Sequence, residues 1–270
     1  MYRNSNFDKT SAYGKYLPQG KKKAAIELAR AMPQNWFGRK VISIIRSAYG
    51  LRDFGPYDVE VFGQNFRLYP CTNRGDKNTL TAPQFFDTKE RAALAEFFAQ
   101  NPDAAFIDLG ANIGVYSAYA RQIGFKQIIA IEADPEVYAR LNFNLQNAAQ
   151  TLNIAVAEEE GVLPFYINEE NRGENSLVNK TGREVTVRAR PLLAVVRENL
   201  AGKKYALKVD VEGMEQKIFQ QLFATAEKSE QPSLVIIEHV HSPEATALLE
   251  ANGYVAKLKT KMNSVYVIKS

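Results

Sequence analysis

The chain has 270 residues, 46% of them hydrophobic and 24% charged, with a formal net charge of +4. That gives room for one large α/β domain with an accessory segment, in the composition of an ordinary globular protein. No apolar run reaches the roughly 18 residues of a membrane span, no secretory leader is visible in residues 1–8, and the single cysteine, Cys71, excludes an internal disulfide and a multi-cysteine zinc cluster, so the expected compartment is the cytoplasm.

The charge is uneven. The first 50 residues hold ten Lys and Arg against two acids, Asp8 and Glu27, which makes that segment +8 and the remainder −4. Such an arm ordinarily reads as the solvated face of accessory helices; it also suits an anionic acceptor or a membrane surface. No zinc finger, recognition helix or RNA-binding aromatic pattern accompanies it, so no nucleic-acid partner is expected. Residues 21–31 read as a helix, with Ala25, Leu28, Ala29 and Met32 at helical spacing. After Pro33, Val41, Ile44, Ile45 and Ala48 mark a second helix that closes near Gly50. Residues 58–69 alternate as a hairpin turning at Gly63-Gln64-Asn65. A connecting stretch with Pro70, Gly75 and Pro83 leads to a helix over 88–100. The expected division is a basic N-terminal extension over 1–87 and a second domain over 88–270.

From residue 104 the pattern becomes regular. Strands are expected at 105–108, 127–132, 152–157, 205–210, 234–238, 254–258 and 264–268. Helices are expected at 115–122 and from Pro135, where proline is tolerated in the first turn. This alternation predicts a Rossmann-like α/β fold: a mostly parallel seven-stranded sheet with helices on both faces and an antiparallel C-terminal edge. Residues 171–190, rich in Asn, Gly, Glu and Arg, read as a loop or solvated hairpin near the site. Its Arg172, Arg183, Arg188 and Arg190 could clamp an anionic acceptor.

In such sheets ligands bind at the carboxyl ends of the strands, where the strand order reverses. The first strand of the regular region ends in Asp108-Leu-Gly110-Ala111-Asn112-Ile-Gly114-Val-Tyr116-Ser117. Gly110 permits a tight turn and close approach of a ligand, and Gly114 close packing of the next helix. In the dinucleotide fingerprint the second glycine admits a pyrophosphate; here that position is Asn112. A polar side chain there, behind the acid Asp108, suits a nucleoside with a cationic amino-acid tail. Glu132, 22 positions after Gly110, ends the second strand, where a carboxylate can accept from ribose hydroxyls. The plain alternative is that Asp108 and Glu132 only cap the following helices.

Two stretches make the resemblance specific. Asp108-Leu-Gly-Ala-Asn-Ile-Gly114 and Leu207-Lys208-Val-Asp210-Val-Glu212-Gly213-Met-Glu215 resemble the paired signatures of the FkbM family of S-adenosylmethionine (SAM)-dependent methyltransferases. Glu132-Ala-Asp134-Pro135, Ala155-Val-Ala-Glu-Glu-Glu-Gly161 and Asn175-Ser176-Leu177 follow in the family's order. The resemblance covers about residues 88–240, departs from it at Met214 and His239, and leaves the first 50 residues outside. It implies the class I methyltransferase fold, SAM as methyl donor with S-adenosylhomocysteine (SAH) as product, and a hydroxyl acceptor on a sugar, polysaccharide, glycolipid or natural product.

On this reading Asp108, Gly110, Ala111, Asn112, Gly114, Tyr116 and Ser117 hold the methionyl and ribosyl part, and Glu132 the ribose. Ala133, Asp134 and Ala155 edge the adenine. Asp210 and Glu212 lie on the acceptor side; either is the general base, or Asp210 holds the SAM ammonium. His239, a proton acceptor near neutrality, is a third catalytic candidate, and His241 stands two residues on. A metal at Asp210, Glu238 and His239 would have few oxygen ligands, so none is expected. Two other classes use such a chain. One is an NAD-dependent oxidoreductase, disfavoured by Asn112 and by the lack of a Tyr-x-x-x-Lys pair; the other is a non-catalytic SAM- or glycan-binding protein.

Overall fold

The computed structural model describes residues 7–71, 74–167, 182–211, 213–240 and 242–269. The N-terminal part contains helices α1 (Gly20–Arg30), α2 (Trp36–Ala48) and α3 (Arg74–Thr81), with the hairpin β1 (Tyr57–Val61) and β2 (Gln64–Leu68) between them. Asn35 caps α2 by accepting the N–H of Gly38 at 2.9 Å. The hairpin pairs in register from Tyr57↔Leu68 to Val61↔Gln64. Residues 74–81, expected as a connection, are helical: Asp76 in the first turn complements the helix dipole. The same buried carboxylate accepts the N–H of Tyr69 at 2.6 Å and pairs with Arg140.

Helix α4 (Thr88–Gln100) leads into the main sheet. Its strands are β3 (Ala105–Leu109), β4 (Ile128–Ile131), β5 (Gln150–Leu152), β9 (Tyr205–Val209), β10 (Leu234–Glu238), β11 (Tyr254–Lys259) and β12 (Asn263–Ile268), in the spatial order β11-β12-β10-β9-β3-β4-β5. β12 runs antiparallel to both its neighbours, and the β10-β9-β3-β4-β5 pairs are parallel. All five residues of β3 and of β9 are buried, as strands covered on both faces must be. Helices α5 (Val115–Ile123), α6 (Pro135–Leu145), α7 (Leu192–Leu200), α8 (Glu215–Thr225) and α9 (Pro243–Ala251) complete the layers. This is the expected α/β architecture, with the antiparallel closing hairpin at the expected edge.

Two expectations change in detail. The strand expected at 152–157 is split between β5, in the main sheet, and β6 (Ala155–Val156), which joins a separate three-stranded sheet. That sheet, ordered β6-β8-β7, contains β7 (Gly161–Ile167) and β8 (Arg183–Arg190), paired from Gly161↔Ala189 to Ile167↔Arg183. Of the stretch 171–190, read as a loop or solvated hairpin, residues 183–190 form a strand paired antiparallel with β7 and residues 171–181 lie outside the described residues. Val187 and Ala189 alternate as the buried residues of β8: Val187 joins a small apolar cluster with Ala155, Phe165 and Ile167, and Ala189 joins the main core. Arg172 and Asn175-Ser176-Leu177 lie outside the described residues.

The N-terminal part is fastened on by burial. Ile26, Ile42, Ile45, Phe66 and Leu68 share one cluster with Ile113, Leu141 and Leu145 of the α5–α6 layer. Arg67 and Asp58, both fully buried, pair at 2.7 Å across the hairpin. The same guanidinium donates to the carbonyls of Asp8, Ser11 and Ala12 at 2.7–2.9 Å, strapping that irregular segment to the hairpin.

Candidate functional site

The carboxyl ends of β3 and β9 meet at a cleft of about 530 Å³. Its floor is the turn after β3. Gly110 takes a left-handed conformation (φ +76°), and a Cβ there would lie 1.8 Å from the carbonyl oxygen of Asp210, so only glycine lets the two strand ends touch. Asn112, also left-handed at φ +51°, follows. Asparagine tolerates this conformation better than most residues.

Of the residues chosen from sequence, Asp108, Gly110, Ala111, Asn112, Tyr116 and Asp210 line the cleft. Asp108 is buried and accepts both the N–H and the hydroxyl of Ser117, at 3.0 and 2.7 Å. Burial raises its pKa to about 6. It thus braces the first turn of α5 and faces the cleft at once, which joins the two readings of the sequence. Gly114, Ser117, Glu132, Ala133, Asp134, Ala155 and His239 are not among the lining residues. Gly114 packs under Leu141 and Leu145, and Ser117 is spent on Asp108. Glu132 accepts the backbone N–H of Asn112 and of Asp134, each at 2.9 Å, and burial pushes it up to about 7. Asp134 caps α6 through the N–H groups of Glu136 and Val137. His239 places Nδ1 3.1 Å from the Ser264 hydroxyl, and its N–H, donating to the Met262 carbonyl at 3.0 Å, extends the pairing of β10 with β12. Glu212 and His241 lie outside the described residues.

The structure adds residues that the sequence reading left out. Lys208, in the middle of β9, is buried with its ammonium 3.1 Å from Asp210 and 5.4 Å from the centre of the Tyr116 ring. Burial alone would lower its pKa, but Asp210 and Asp108 outweigh that and hold it above the ordinary lysine value. The Tyr116 hydroxyl donates to Asp87 at 2.9 Å, and Asn263 donates to Asp87 and Glu90 at 3.3 and 3.2 Å. Burial raises Asp87. The signal for Lys208 was a lysine inside a wholly buried strand; none distinguished Asp87 from an ordinary helix-start acid.

The opposite wall comes from the N-terminal part. Arg39, Ile42 and Arg46 of α2, Asn78 and Thr79 of α3, and Phe85 and Phe86 all line the cleft. Arg39 stacks on Phe85 at 4.4 Å, and Arg46 donates to the Thr81 hydroxyl at 2.6 Å. Of the arginines expected to clamp an acceptor, Arg183 instead pairs with Glu136 at 2.7 Å and Arg190 with Glu198 at 2.8 Å. None of Arg183, Arg188 and Arg190 lines the cleft.

Comparison with protein families gives one decisive finding. The methyltransferase FkbM domain matches residues 108–257, more than half of the chain. This chain belongs to the FkbM methyltransferase family. No curated protein matches it. Among solved structures it is similar to an O-methyltransferase from Bacillus cereus in complex with SAH (10% identity, 93% of this chain and 92% of that one, TM-score 0.39). It is also similar to M. jannaschii TYW2 in complex with AdoMet (13%, 79% and 86%, TM-score 0.39). A third is the ribosomal protein L11 methylase of Lactobacillus delbrueckii subsp. bulgaricus (13%, 68% and 79%, TM-score 0.39).

The family's methyl donor, SAM, carries an ammonium, a sulfonium and a carboxylate, and the cleft offers matching partners. Asp108 and Asp210 supply acceptors, and the Asn112 side-chain oxygen is buried there with no hydrogen-bond partner. An orphaned acceptor at a ligand wall marks a position for a donor. Among the described residues, no group of three or more His, Cys, Asp or Glu is placed to hold a metal ion. No described helix is long and apolar enough to cross a membrane.

Proposed function

We propose that this FkbM-family methyltransferase transfers a methyl group from SAM to a hydroxyl oxygen of a sugar, glycolipid or natural-product acceptor carrying an anionic group, in the cytoplasm. The observation that carries the reading is the cleft's polarity. The end next to β3 and β9 is acidic and the facing α2 wall presents Arg39 and Arg46. Among the described residues neither arginine lies within 4.0 Å of a carboxylate. Residues 1–87, on this reading, are a unit that supplies the acceptor wall to the domain over 88–270.

SAM supplies a methyl group already activated by its sulfonium, so the protein has to align, exclude water and move one proton. Asp108 and Asn112 hold the amino-acid end, and Glu132, by fixing the Asn112 and Asp134 backbone, shapes the nucleoside end. Asp210 or Glu212 takes the acceptor proton. Lys208 fixes the Asp210 carboxylate while Phe85 and Phe86 exclude water. Arg39 and Arg46 orient the anionic part of the acceptor.

Thermal denaturation with SAM, SAH and NAD tests the cofactor reading, on wild type and Asp108→Ala. A ligand at 100 times its Kd adds about 2.7 kcal/mol, or roughly 5–10 °C for a chain of this size. A shift with SAM and SAH that Asp108→Ala loses is expected. A shift with NAD only would overturn the reading.

A further inference from the structure

Helix α2 presents three different faces. Gly38, Ile42 and Ile45 are buried against the fold, and Arg39, Ile42 and Arg46 line the cleft. The third stripe, Phe37, Lys40 and Ile44 at i, i+3 and i+7 with Trp36 beside it, is left uncovered by the described residues: Trp36 is 69% exposed, Phe37 55% and Ile44 66%. Large apolar side chains clustered on one solvent-facing stripe mark a contact surface rather than scattered surface residues.

Its charge selects the occupant. Between Glu27 and Asp53 the chain has no acidic residue. Lys40 lies on the stripe, Arg52 donates to the Ser43 hydroxyl beside it at 3.1 Å and the exposed Arg39 flanks it, while Arg30 and Arg46 turn inward to the Leu80 carbonyl and the Thr81 hydroxyl. The Lys40 ammonium rests 4.9 Å from the Trp36 ring centre, a cation on an aromatic at the edge of an apolar stripe. A second copy of this chain would bring the same cations against themselves, since a two-fold contact repeats one patch on both sides. Nucleic acid would satisfy the cations but leave Trp36, Phe37 and Ile44 against a polar backbone. A bilayer with anionic headgroups satisfies both: apolar side chains enter about 5–10 Å below the headgroups, tryptophan stays at the interface, and cations remain at the phosphates.

We propose that α2 docks this enzyme on an anionic lipid surface through Trp36, Phe37, Lys40 and Ile44. The adjoining face of the same helix then holds the Arg39 and Arg46 wall of the cleft beside that surface, where a lipid-borne acceptor would enter. The docking surface stands apart from the cofactor reading, since none of these four residues lines the cleft.

Trp36 is the only tryptophan in the chain, so its fluorescence reports on this patch alone. The full chain is titrated with vesicles of phosphatidylcholine, and with vesicles of phosphatidylcholine and phosphatidylglycerol. A blue shift and quenching by acyl-brominated lipid, with anionic vesicles only, is the expected result. Binding should weaken with salt, and Lys40→Glu should lower it by at least about fivefold. In co-sedimentation, the exposed triple variant Trp36→Ser, Phe37→Ser, Ile44→Ser should lose binding while keeping its circular dichroism and any SAM-dependent thermal shift. No blue shift, or equal binding to both vesicle types, overturns the proposal. So does a concentration-dependent dimer, without lipid, that the triple variant abolishes.

Discussion

Gly110 and Asp210 meet backbone to backbone: a Cβ on the glycine would sit 1.8 Å from the aspartate's carbonyl oxygen. The ends of β3 and β9 are held together there, and Asp210 N–H completes the contact by donating to the Leu109 carbonyl at 3.0 Å. Gly110→Ala must therefore spread the two strand ends as well as strain φ +76°. The expected cost is about 2 kcal/mol or more in stability, with SAM affinity falling about tenfold or more in the chain that remains folded. Chemical denaturation with and without SAM separates the two effects.

Asp108 and Glu132 predict an unusual pH dependence. Burial lifts them to about 6 and about 7, so the folded chain binds more protons than the unfolded one between about pH 4 and 7. Their contribution is fully present at the acid end of that window and declines as the pH rises through it. Asp108→Asn removes its share. In ligand-free melts, the variant's Tm relative to wild type should climb from pH 5 to pH 8, and a constant or falling difference would contradict the assignment.

Lys208 is held by charge. With its partner Asp210 42% exposed at the side chain, water screens part of the loss. Lys208→Met should then cost about 1–3 kcal/mol, less than breaking a fully buried pair. Adding Asp210→Asn should cost less in that background than in wild type. A double-mutant cycle by urea denaturation reads the coupling, and additive effects would mean that the pair is not coupled.

Much of the fold is legible in the sequence. β3, β4, β9 and β10 read as short, mostly apolar runs broken only by Asp108, Lys208 and Glu238, and the glycines from Asp108 to Gly114 mark the turn that lies at the cleft. The three-stranded sheet is hidden because β8, Arg-Glu-Val-Thr-Val-Arg-Ala-Arg, buries only small or β-branched residues and exposes charge, which in sequence reads as a loop or solvated hairpin. His239 is a catalytic candidate because it follows a strand end; the structure sets its ring beside Ser264 of β12. The α2 wall of the cleft was illegible for another reason. Arg39 and Arg46 lie some 170 residues from Asp210, and only tertiary packing brings them to one cavity.

The two arginines carry the acceptor prediction. Arg39→Gln with Arg46→Gln should raise KM for an anionic acceptor about tenfold or more while leaving SAM affinity unchanged, since a charge-assisted contact is worth roughly 1.5–3 kcal/mol. Steady-state kinetics on a matched charged and neutral acceptor pair decides it. Equal KM changes for both would remove the anionic group from the proposal.

Arg67 closes the N-terminal strap. Arg67→Met leaves Asp58 charged and buried, at a cost of about 3–5 kcal/mol, and frees the carbonyls of Asp8, Ser11 and Ala12. Limited proteolysis should then cut within residues 8–16 well before the rest of the chain, while an uncut strap would show that other contacts suffice.

The position of β12 bears on how the protein is made. Among the described strands β11 pairs with β12 alone, which lies between it and β10. On a ribosome β11 emerges first and must wait, unpaired, until β12 slides in beside β10. Asn263 at the start of β12 also holds Asp87 and Glu90, so the floor beside Tyr116 is finished in the same late step. A nascent chain stalled ahead of β12 would thus carry every motif of the family and yet have an unbraced cleft.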